Sequence, residues 1–395
     1  MTQNQSLTDY TRHMARALEL ARSVLTTAPN PRVGCVIVRD DGSVAGEGWH
    51  SAAGEAHAEV NALREAGAAA KAATAVVTLV PCCHFGRTPP CCDALIDAGI
   101  RRVVYAATDA FPEVKQGSLP RLESAGIEVI QLTEFEATAE AINPGYHKRL
   151  REGRPFLRCK VAMSLDGRSA MADRSSKWIT TTDARADVQR FRAASGAVIT
   201  GINTVLADDP GLNVRPEELP LTEDERAANA HLFGRQPLRV ILDSGFRTPP
   251  QARIVQLKGK VVIYGTQTPE SSFPGNVDTV VIAGNTRDGG RDKGGVPLPD
   301  VLESLARNYD CTEVLLEAGP VLSGAFLRAG LVDELIVYVG AKLMGSDALP
   351  LFDLPGLRSM ADCVPLEFTD VTPVGADLRI TARPTRGFGN ENSTD

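Results

Sequence analysis

The feature that most constrains this chain is a set of one histidine, one glutamate and two cysteines in its first hundred residues. A single alanine separates His57 from Glu59, and Cys82 and Cys91 each follow a proline. One imidazole and two thiolates make three ligands for Zn²⁺, and a hydrolytic zinc site keeps its fourth position for water. The glutamate is then left over to move protons, so the pattern predicts a hydrolytic metal centre.

The same residues match part of a known zinc deaminase signature, H-x-E followed by P-C-x-x-C. The H-x-E and P-C parts are present, but eight residues separate Cys82 from Cys91 instead of two. Taken singly, a His-x-Glu triplet or a cysteine pair is more often a surface or packing feature. Their combination predicts zinc bound by His57, Cys82 and Cys91, with Glu59 as the proton shuttle. The cysteine that follows each ligand cysteine is predicted to be a packing residue.

Strands and helices are predicted to alternate around these residues. Apolar residues recur at three- and four-residue steps in residues 8–25, which predicts an amphipathic helix. Short apolar runs predict five strands, at residues 33–38, 44–49, 75–80, 100–106 and 127–132. His57 and Glu59 then lie at a helix start, and Cys82 lies at the carboxyl end of the third strand. This half is therefore predicted to be α/β, with helices flanking one sheet.

Length and composition are those of a multidomain globular protein. At roughly 150 residues per domain, 395 residues correspond to two or three domains. The net charge of −7 and the lack of a long Lys/Arg run disfavour a nucleic-acid ligand. No apolar run approaches the ~18 residues of a membrane span. The polar N-terminus carries no export signal, and eight cysteines in so long a chain do not indicate a disulfide framework. We therefore expect a cytoplasmic protein.

A second α/β unit is predicted to follow the first. The expected division is a zinc domain at residues 1–150, a second domain at 151–383 and a flexible polar tail at 384–395. Residues 284–295 are rich in glycine and charge and are predicted to form a loop. No G-x-G-x-x-G motif is present, so a Rossmann fold is not indicated. The strand ending at Glu317 leads through Gly319 into a helix start, which suits an anion bound by backbone amides.

Several runs in the first half resemble one enzyme family. The segments NPRVGCVIV, GEGWH, HAEVNAL and VPCCHFGRTPPC are similar to the deaminase domain of the bifunctional riboflavin-biosynthesis deaminase/reductases. This resemblance accounts for the eight-residue spacing of the cysteines and implies a cytidine-deaminase-like fold. It also implies that Asn30, His50 and Arg87 line the substrate pocket.

Three positions depart from the pattern of that family. Val80 stands where the family has Glu before the P-C pair, and Cys83 stands where it has Ser. Phe111 lies in a segment where the family has D-P-N-P, so an Asn that contacts substrate is missing. None of these changes removes a zinc ligand. They leave open an alternative in which the deaminase is impaired and only the reductase works.

The second half resembles the reductase domain of the same family. The matching runs are KVAMSLDG, SSKWIT, GINTVLADDP, VILDSGFRTP and LLEAGPVLSGAFL. The resemblance implies a dihydrofolate-reductase-like fold and NADPH as cofactor. The implied NADPH contacts are Ala162, Trp178, Thr204, Asp208, Ser244, Gly319, Pro320, Val321, Leu322, Ser323, Gly324 and Ala325. The implied contacts of the sugar-phosphate substrate are Ser176, Arg192, Leu212, Arg215 and Glu317.

Two pairs of charged residues have a chemical reason for these roles. Arg192 and Arg215 suit a phosphate clamp, because a guanidinium fork pairs with phosphate oxygens. Without the motifs they would be interpreted as solvated surface arginines. Lys160 and Asp208 are candidates for polarising the sugar carbonyl during hydride transfer.

The predicted function is two successive steps of riboflavin biosynthesis. Zinc-dependent hydrolysis deaminates 2,5-diamino-6-(5-phosphoribosylamino)pyrimidin-4-one, and NADPH then reduces the ribosyl group of 5-amino-6-(5-phosphoribosylamino)uracil to ribityl. The expected partners are phosphorylated pyrimidines and a second copy of the chain, with no nucleic acid and no membrane. Besides the reductase-only alternative, a tRNA adenosine deaminase with an added domain and a non-catalytic zinc scaffold stay open.

Overall fold

The computed structural model describes residues 3–270, 272–283 and 295–385, with side chains from residue 10 onward except at 112, 113, 115 and 116. The chain forms two compact units, one of Met1–Gly153 with Leu221–Phe233 and one of Arg154–Pro220 with Gly234–Asp395. The predicted loop at 284–295 lies outside the described residues except for Gly295. The predicted tail lies outside them from residue 386 onward, whereas Pro384 belongs to the last strand.

The helices are α1 (Gln3–Ser23), α2 (Ala58–Ala66), α3 (Cys91–Asp97), α4 (Pro112–Ser124), α5 (Glu136–Ile142), α6 (Pro144–Glu152), α7 (Thr182–Ala194), α8 (Ile202–Asp208), α9 (Glu223–Ala228), α10 (Arg253–Gln256), α11 (Leu298–Asn308) and α12 (Pro320–Arg328). The strands are β1 (Gly34–Val38), β2 (Val44–Trp49), β3 (Thr74–Leu79), β4 (Arg102–Ala107), β5 (Glu128–Gln131), β6 (Phe156–Ser164), β7 (Arg168–Ala170), β8 (Ala197–Gly201), β9 (Leu238–Leu242), β10 (Val261–Gly265), β11 (Val277–Val281), β12 (Glu313–Glu317), β13 (Glu334–Gly340), β14 (Leu349–Pro350), β15 (Leu366–Val374) and β16 (Asp377–Pro384). No described helix has both the length and the apolar composition of a membrane span.

The first unit is built on a five-stranded sheet in the order β2-β1-β3-β4-β5. β1 pairs antiparallel with both β2 and β3, whereas β3, β4 and β5 run parallel. Strands β1 and β3 are buried along their whole length, because helices cover both faces of the sheet. The stripe of Met14, Leu18 and Ala21 on α1 is buried against this sheet, as the sequence predicts.

Glycines let the helices of this unit approach the sheet closely. A Cβ on Gly34 would lie 2.0 Å from the carbonyl oxygen of Ala17 in α1. On β2, a Cβ on Gly48 would lie 2.4 Å from both the Ala58 carbonyl oxygen and the Ala62 nitrogen of α2. The backbone of α2 therefore rests directly on β2. This contact places the start of α2, where His57 and Glu59 lie.

The second unit is built on a nine-stranded sheet in the order β11-β10-β9-β8-β12-β6-β13-β16-β15. The seven strands from β11 to β13 in that order are parallel. At the other edge of the sheet, β16 pairs antiparallel with both β13 and β15. A small β7–β14 pair stands apart from this sheet. The carboxyl ends of the parallel strands share one edge, which is where open α/β sheets bind ligands.

We predict that Gly48→Ala destabilises the first unit by about 1–3 kcal/mol, because the added methyl group meets the backbone of α2. Displacement of α2 should also lower the amount of bound zinc. Thermal unfolding and metal analysis measure the two effects. Gly275→Ala is the matched control, since a Cβ there meets no atom within 4 Å. Equal melting temperatures for both variants would contradict the prediction.

Candidate active sites

His57, Cys82 and Cys91 converge from three segments of the first unit. His57 is the N-cap of α2, Cys82 follows β3, and Cys91 is the first residue of α3. The Nδ1 atom of His57 lies 3.2 Å from Cys91 Sγ and 3.6 Å from Cys82 Sγ, and all three ligand atoms lie within 4.8 Å of one another. Tetrahedral Zn–N and Zn–S bonds of about 2.1 and 2.3 Å place ligand atoms roughly 3.5 Å apart. The three side chains therefore fit Zn²⁺.

A threonine orients the imidazole toward the two sulfurs. Thr88 Oγ1 lies 3.2 Å from His57 Nε2, on the far side of the ring from the cysteines. When Nε2 carries the ring proton and donates it to this hydroxyl, the Nδ1 lone pair is directed at the metal position. Sequence reasoning missed Thr88, although it stands inside the GRTPPC run that carries the family resemblance.

Two thiols in this cluster have opposite acidity. A hydrogen bond from the Cys91 thiol lowers the pKa of Cys82 to about 4. The same hydrogen bond, together with burial, raises the pKa of Cys91. The first sulfur is thus a thiolate at neutral pH, and a nearby divalent cation favours loss of the second proton.

Glu59 lies beside the cluster without joining the three ligands. Its side chain is in the first turn of α2, is 3% exposed and hydrogen-bonds Cys91. Burial raises the pKa of the Glu59 carboxyl, although the charge of His57 works in the opposite direction. A carboxyl with a raised pKa next to a metal position can both accept and return a proton.

Two of the predicted pocket residues contact each other near this cluster. Asn30 Nδ2 lies 3.1 Å from His50 Nε2, and His50 Nδ1 lies 3.1 Å from the Ala56 carbonyl oxygen. Burial lowers the pKa of His50 to about 4, so the ring is neutral at pH 7. The carbonyl must accept from Nδ1–H, which leaves Nε2 to accept from the amide of Asn30. The rings of His50 and His57 are 5.0 Å apart, whereas Arg87 is exposed in the loop after β3.

The three departures from the family pattern lie at different depths. Val80 is buried in the core of the first unit, and its N–H donates to the carbonyl of Ala107 in β4. Cys83 packs against that core as well. The ring of Phe111 lies 5.0 Å from the ring of His84, and His84 is in the loop between Cys82 and Cys91. These positions leave the three ligand atoms and Glu59 in place.

In the second unit, the carboxyl end of β12 carries a cluster of opposite charges. The Arg192 Nε and Nη2 atoms donate to the two oxygens of Glu317 at 2.6 and 3.0 Å. Lys160 Nζ, on the neighbouring strand β6, lies 4.0 Å from Glu317 Oε2. Burial would raise the pKa of Glu317, but the charge and hydrogen bonds of Arg192 outweigh it, so the pKa is lowered. Glu317 is therefore a carboxylate held by two cations.

The two predicted phosphate-clamp arginines have different partners. Arg192 is engaged with Glu317, and its Nη1 donates to the Asn213 carbonyl at 3.1 Å. Arg215 forms an ion pair of 2.6 Å with Glu218, which is exposed, and its charge also acts on Glu317. A phosphate can therefore reach Arg215 by displacing the exposed carboxylate of Glu218, whereas two donors of Arg192 already bind Glu317.

The β12–α12 turn offers an open backbone surface. Gly319 is the N-cap of α12, and the nearest atom to a Cβ built there is Thr204 Oγ1, at 4.0 Å. Farther along, a Cβ on Gly324 would lie 2.2 Å from the Asp353 carbonyl oxygen, which fixes the helix against the following segment. The first N–H groups of a helix have no partner within it and suit phosphate oxygens. This turn therefore fits the pyrophosphate of a dinucleotide.

The other predicted cofactor and substrate residues are spread over several strands, helices and loops of the second unit. The Trp178 side chain is 61% exposed, with its ring 4.2 Å from the Arg185 guanidinium. Asp208 is exposed at the last turn of α8. The remaining predicted residues are Ala162 on β6, the half-buried Ser176, the buried Leu212 and Ser244 two residues after β9.

Comparison with known proteins shows the family of this chain. The chain is 48% identical over 370 residues to the riboflavin biosynthesis protein RibD of Escherichia coli strain K12, which covers 93% of this chain and 97% of that one. The chain belongs to the RibD family. The RibD of Haemophilus influenzae is 42% identical over 377 residues, which covers 94% of this chain and 96% of that protein.

Domain families and solved RibD structures match the two units. Residues 7–107 match the cytidine and deoxycytidylate deaminase zinc-binding region, and residues 155–380 match the RibD C-terminal domain. A structure of Acinetobacter baumannii RibD covers 96% of this chain and 100% of that one, with 42% identity and a TM-score of 0.83. A Thermotoga maritima structure, a diaminohydroxyphosphoribosylaminopyrimidine deaminase/5-amino-6-(5-phosphoribosylamino)uracil reductase, covers 95% of this chain and 99% of that one, at 29% identity and a TM-score of 0.79.

Membership of the RibD family makes this chain a bifunctional deaminase and reductase of riboflavin biosynthesis. The deaminase domain is zinc-binding, and RibD reductase domains use NADPH. The fold class, activities and cofactors expected from the sequence are confirmed, and no finding favours the reductase-only alternative. The roles of individual site residues stay predictions.

Proposed function

We propose that the first unit deaminates 2,5-diamino-6-(5-phosphoribosylamino)pyrimidin-4-one and that His57, Cys82 and Cys91 hold its zinc. The observation that carries this proposal is the convergence of the three ligand atoms within 4.8 Å. The name of the Thermotoga maritima relative supports the substrate. Zn²⁺ bound here supplies a water with a pKa lowered to about 7.

The protein's own residues then handle the protons and the ring. Glu59, buried and hydrogen-bonded to Cys91, accepts a proton from the attacking water and delivers it to the leaving amine. The neutral His50 and the amide of Asn30 form a fixed polar pair beside His57, which suits recognition of the pyrimidine edge. Thr88 keeps the His57 ring in the orientation that ligation needs.

We predict that Glu59→Gln abolishes ammonia release while zinc content stays at the wild-type level. The amide keeps the shape of the side chain but cannot accept the proton, so the rate should fall by at least about 100-fold. Ammonia assays without NADPH, joined to metal analysis, measure both quantities. Glu123→Gln, an exposed change on α4, is the control. Deamination at near-normal rate by Glu59→Gln would refute the assignment.

We propose further that the second unit reduces the ribosyl group of 5-amino-6-(5-phosphoribosylamino)uracil, with NADPH as the hydride source. Arg192 and Lys160 fix the Glu317 carboxylate at the end of β12, where it can accept hydrogen bonds from sugar hydroxyls. Lys160 is the better candidate for polarising the sugar carbonyl, because its side chain is only 21% exposed and lies beside Glu317.

The remaining contacts follow from the same edge of the sheet. Gly319 and the first turn of α12 suit the pyrophosphate of NADPH, with Thr204 beside them. Further NADPH contacts proposed from the family resemblance are Ala162, Trp178, Asp208, Ser244, Pro320, Val321, Leu322, Ser323, Gly324 and Ala325. Further substrate contacts proposed on the same ground are Ser176, Arg192, Leu212 and, in the first unit, Arg87.

Arg215 is the proposed phosphate-binding arginine of the reductase. We predict that Arg215→Ala raises the KM for the phosphorylated substrate about 10-fold or more, because a charged hydrogen bond is lost, and leaves NADPH affinity unchanged. Steady-state kinetics of NADPH oxidation measure the KM. Glu218→Gln removes the acid partner but keeps the arginine, and it should not raise the KM. Similar increases in both variants would show that the ion pair, not phosphate contact, matters.

We infer that the chain forms a homodimer through β15. This strand is an edge strand of the nine-stranded sheet. The exposed fractions of its residues Leu366, Phe368 and Val371 are 43%, 68% and 56%. A long edge strand with exposed apolar side chains can pair with a strand of another chain. A second copy of the same strand would cover these side chains.

Light scattering should give a dimer mass for the wild type and a monomer for Phe368→Glu, because the added charge opposes burial of the strand. Val281→Glu, on the opposite margin strand β11 and 51% exposed, should stay dimeric. A monomeric wild type, or a dimer lost only in Val281→Glu, would contradict the proposed interface.

We also propose a cytoplasmic location and no nucleic-acid ligand. None of the eight cysteines forms a disulfide bond, which fits a reducing compartment. The net charge of −7 opposes a phosphate backbone. Neither the tRNA deaminase nor the zinc scaffold is favoured by any observation in the described structure.

A further inference from the structure

The loop after β9 is held by a fully buried carboxylate. Asp243 is 0% exposed, and its Oδ2 accepts hydrogen bonds from the Thr248 N–H at 2.7 Å and the Thr248 hydroxyl at 2.8 Å. These two bonds close the loop from residue 243 to 248 at the carboxyl edge of the parallel strands. The other oxygen, Oδ1, has no hydrogen-bond partner among the described residues.

Arg247, inside this loop, is the cation nearest to that oxygen. Its Nε lies 3.8 Å from Asp243 Oδ1, which is too long for a hydrogen bond but close enough for attraction. The side chain is 55% exposed, and no other ion pair or hydrogen bond engages it in the described part of the chain. Asp243 therefore orients the guanidinium while its donors stay available to a ligand.

The loop after the next strand adds polar groups on the same side. The Thr266 N–H and hydroxyl both donate to the Ser244 carbonyl, at 3.1 and 3.2 Å. Gln267 Nε2 would lie 3.4 Å from a Cβ built on Gly245. Two adjacent loops thus form one polar surface around Arg247, with Ser244, a proposed cofactor contact, at its centre.

This surface lies at the same edge of the parallel sheet as the proposed pyrophosphate site. In the sheet, β9 is two strand positions from β12, or roughly 10 Å at the usual strand spacing. In Rossmann folds, NAD sites use an acid for the 2′-hydroxyl and NADP sites use an arginine for the 2′-phosphate; the same charge pairing holds in any fold, because a guanidinium binds phosphate oxygens. Asp243 is buried and held by Thr248, so the exposed group here is the arginine.

We propose that Arg247 binds the 2′-phosphate of NADPH and gives the reductase its preference for NADPH over NADH. The inference deepens, and rests on, the proposed reductase function of the second unit. Arg247 acts on cofactor affinity alone, because the 2′-phosphate is remote from the reacting carbon of the nicotinamide. Its loss should therefore change binding of phosphorylated cofactor and leave kcat unaltered.

The direct test is calorimetric titration of the full-length protein with adenosine 2′,5′-bisphosphate and with adenosine 5′-monophosphate. The wild type should bind the bisphosphate more tightly, and Arg247→Ala should weaken that binding about 10-fold or more while leaving the monophosphate unchanged. Arg247→Lys should recover part of the loss because it restores the charge. Arg307→Ala, an exposed change in the last turn of α11 before the opposite end of β12, should match the wild type.

Kinetics separate this inference from the function on which it rests. In Arg247→Ala, the KM for NADPH should rise about 10-fold and the KM for NADH should stay within twofold of the wild type. Equal bisphosphate affinity in wild type and Arg247→Ala overturns the inference even when NADPH is oxidised normally. Weaker bisphosphate binding in Arg247→Ala supports it even when no pyrimidine substrate is reduced, an outcome that counts against the proposed function instead.

Discussion

The contact between α2 and β2 is the constraint on which the zinc site depends. Because Gly48 has no side chain, the backbone of α2 lies against the strand, and His57 is brought to face two sulfurs from other segments. The same helix start buries Glu59, whose raised pKa follows from that burial. Ligand geometry and proton chemistry thus share one cause. Any residue with a Cβ at position 48 would disturb both.

The two sites use burial in opposite ways. In the first unit, removal from water raises the pKa of the Glu59 carboxyl, so this group can hold a proton beside the metal position. In the second unit, Glu317 stays ionised despite burial, because Arg192 supplies charge and two hydrogen bonds. A hydrolytic site benefits from a mobile proton, whereas a site for sugar hydroxyls and phosphate benefits from fixed charges.

The parallel sheet of the second unit explains how residues far apart in sequence serve one ligand. Strands β9, β12 and β6 run parallel, so Asp243 and Glu317 lie toward the same edge of the sheet, and Lys160 on β6 is the register partner of Glu317. The buried strands of this sheet are short apolar runs between turn residues, a pattern that sequence reasoning can detect. The two edge strands of the sheet, β11 and β15, were not predicted, because their exposed positions break the apolar pattern that identifies a buried strand. The sequence division after residue 150 also assigned Leu221–Phe233 to the second domain, whereas it packs with the first unit.

The sequence alone was enough to recognise the α/β class and the family resemblance, and to predict a zinc ligand set and a proton shuttle, because these rest on residue types at short spacings. Only the tertiary structure decided which nitrogen of His57 faces the sulfurs, and that Arg192 is committed to Glu317. Only it placed Arg247 beside the unpaired oxygen of Asp243. The physical reason is that side-chain partners across strands depend on register and burial, and local sequence patterns encode neither.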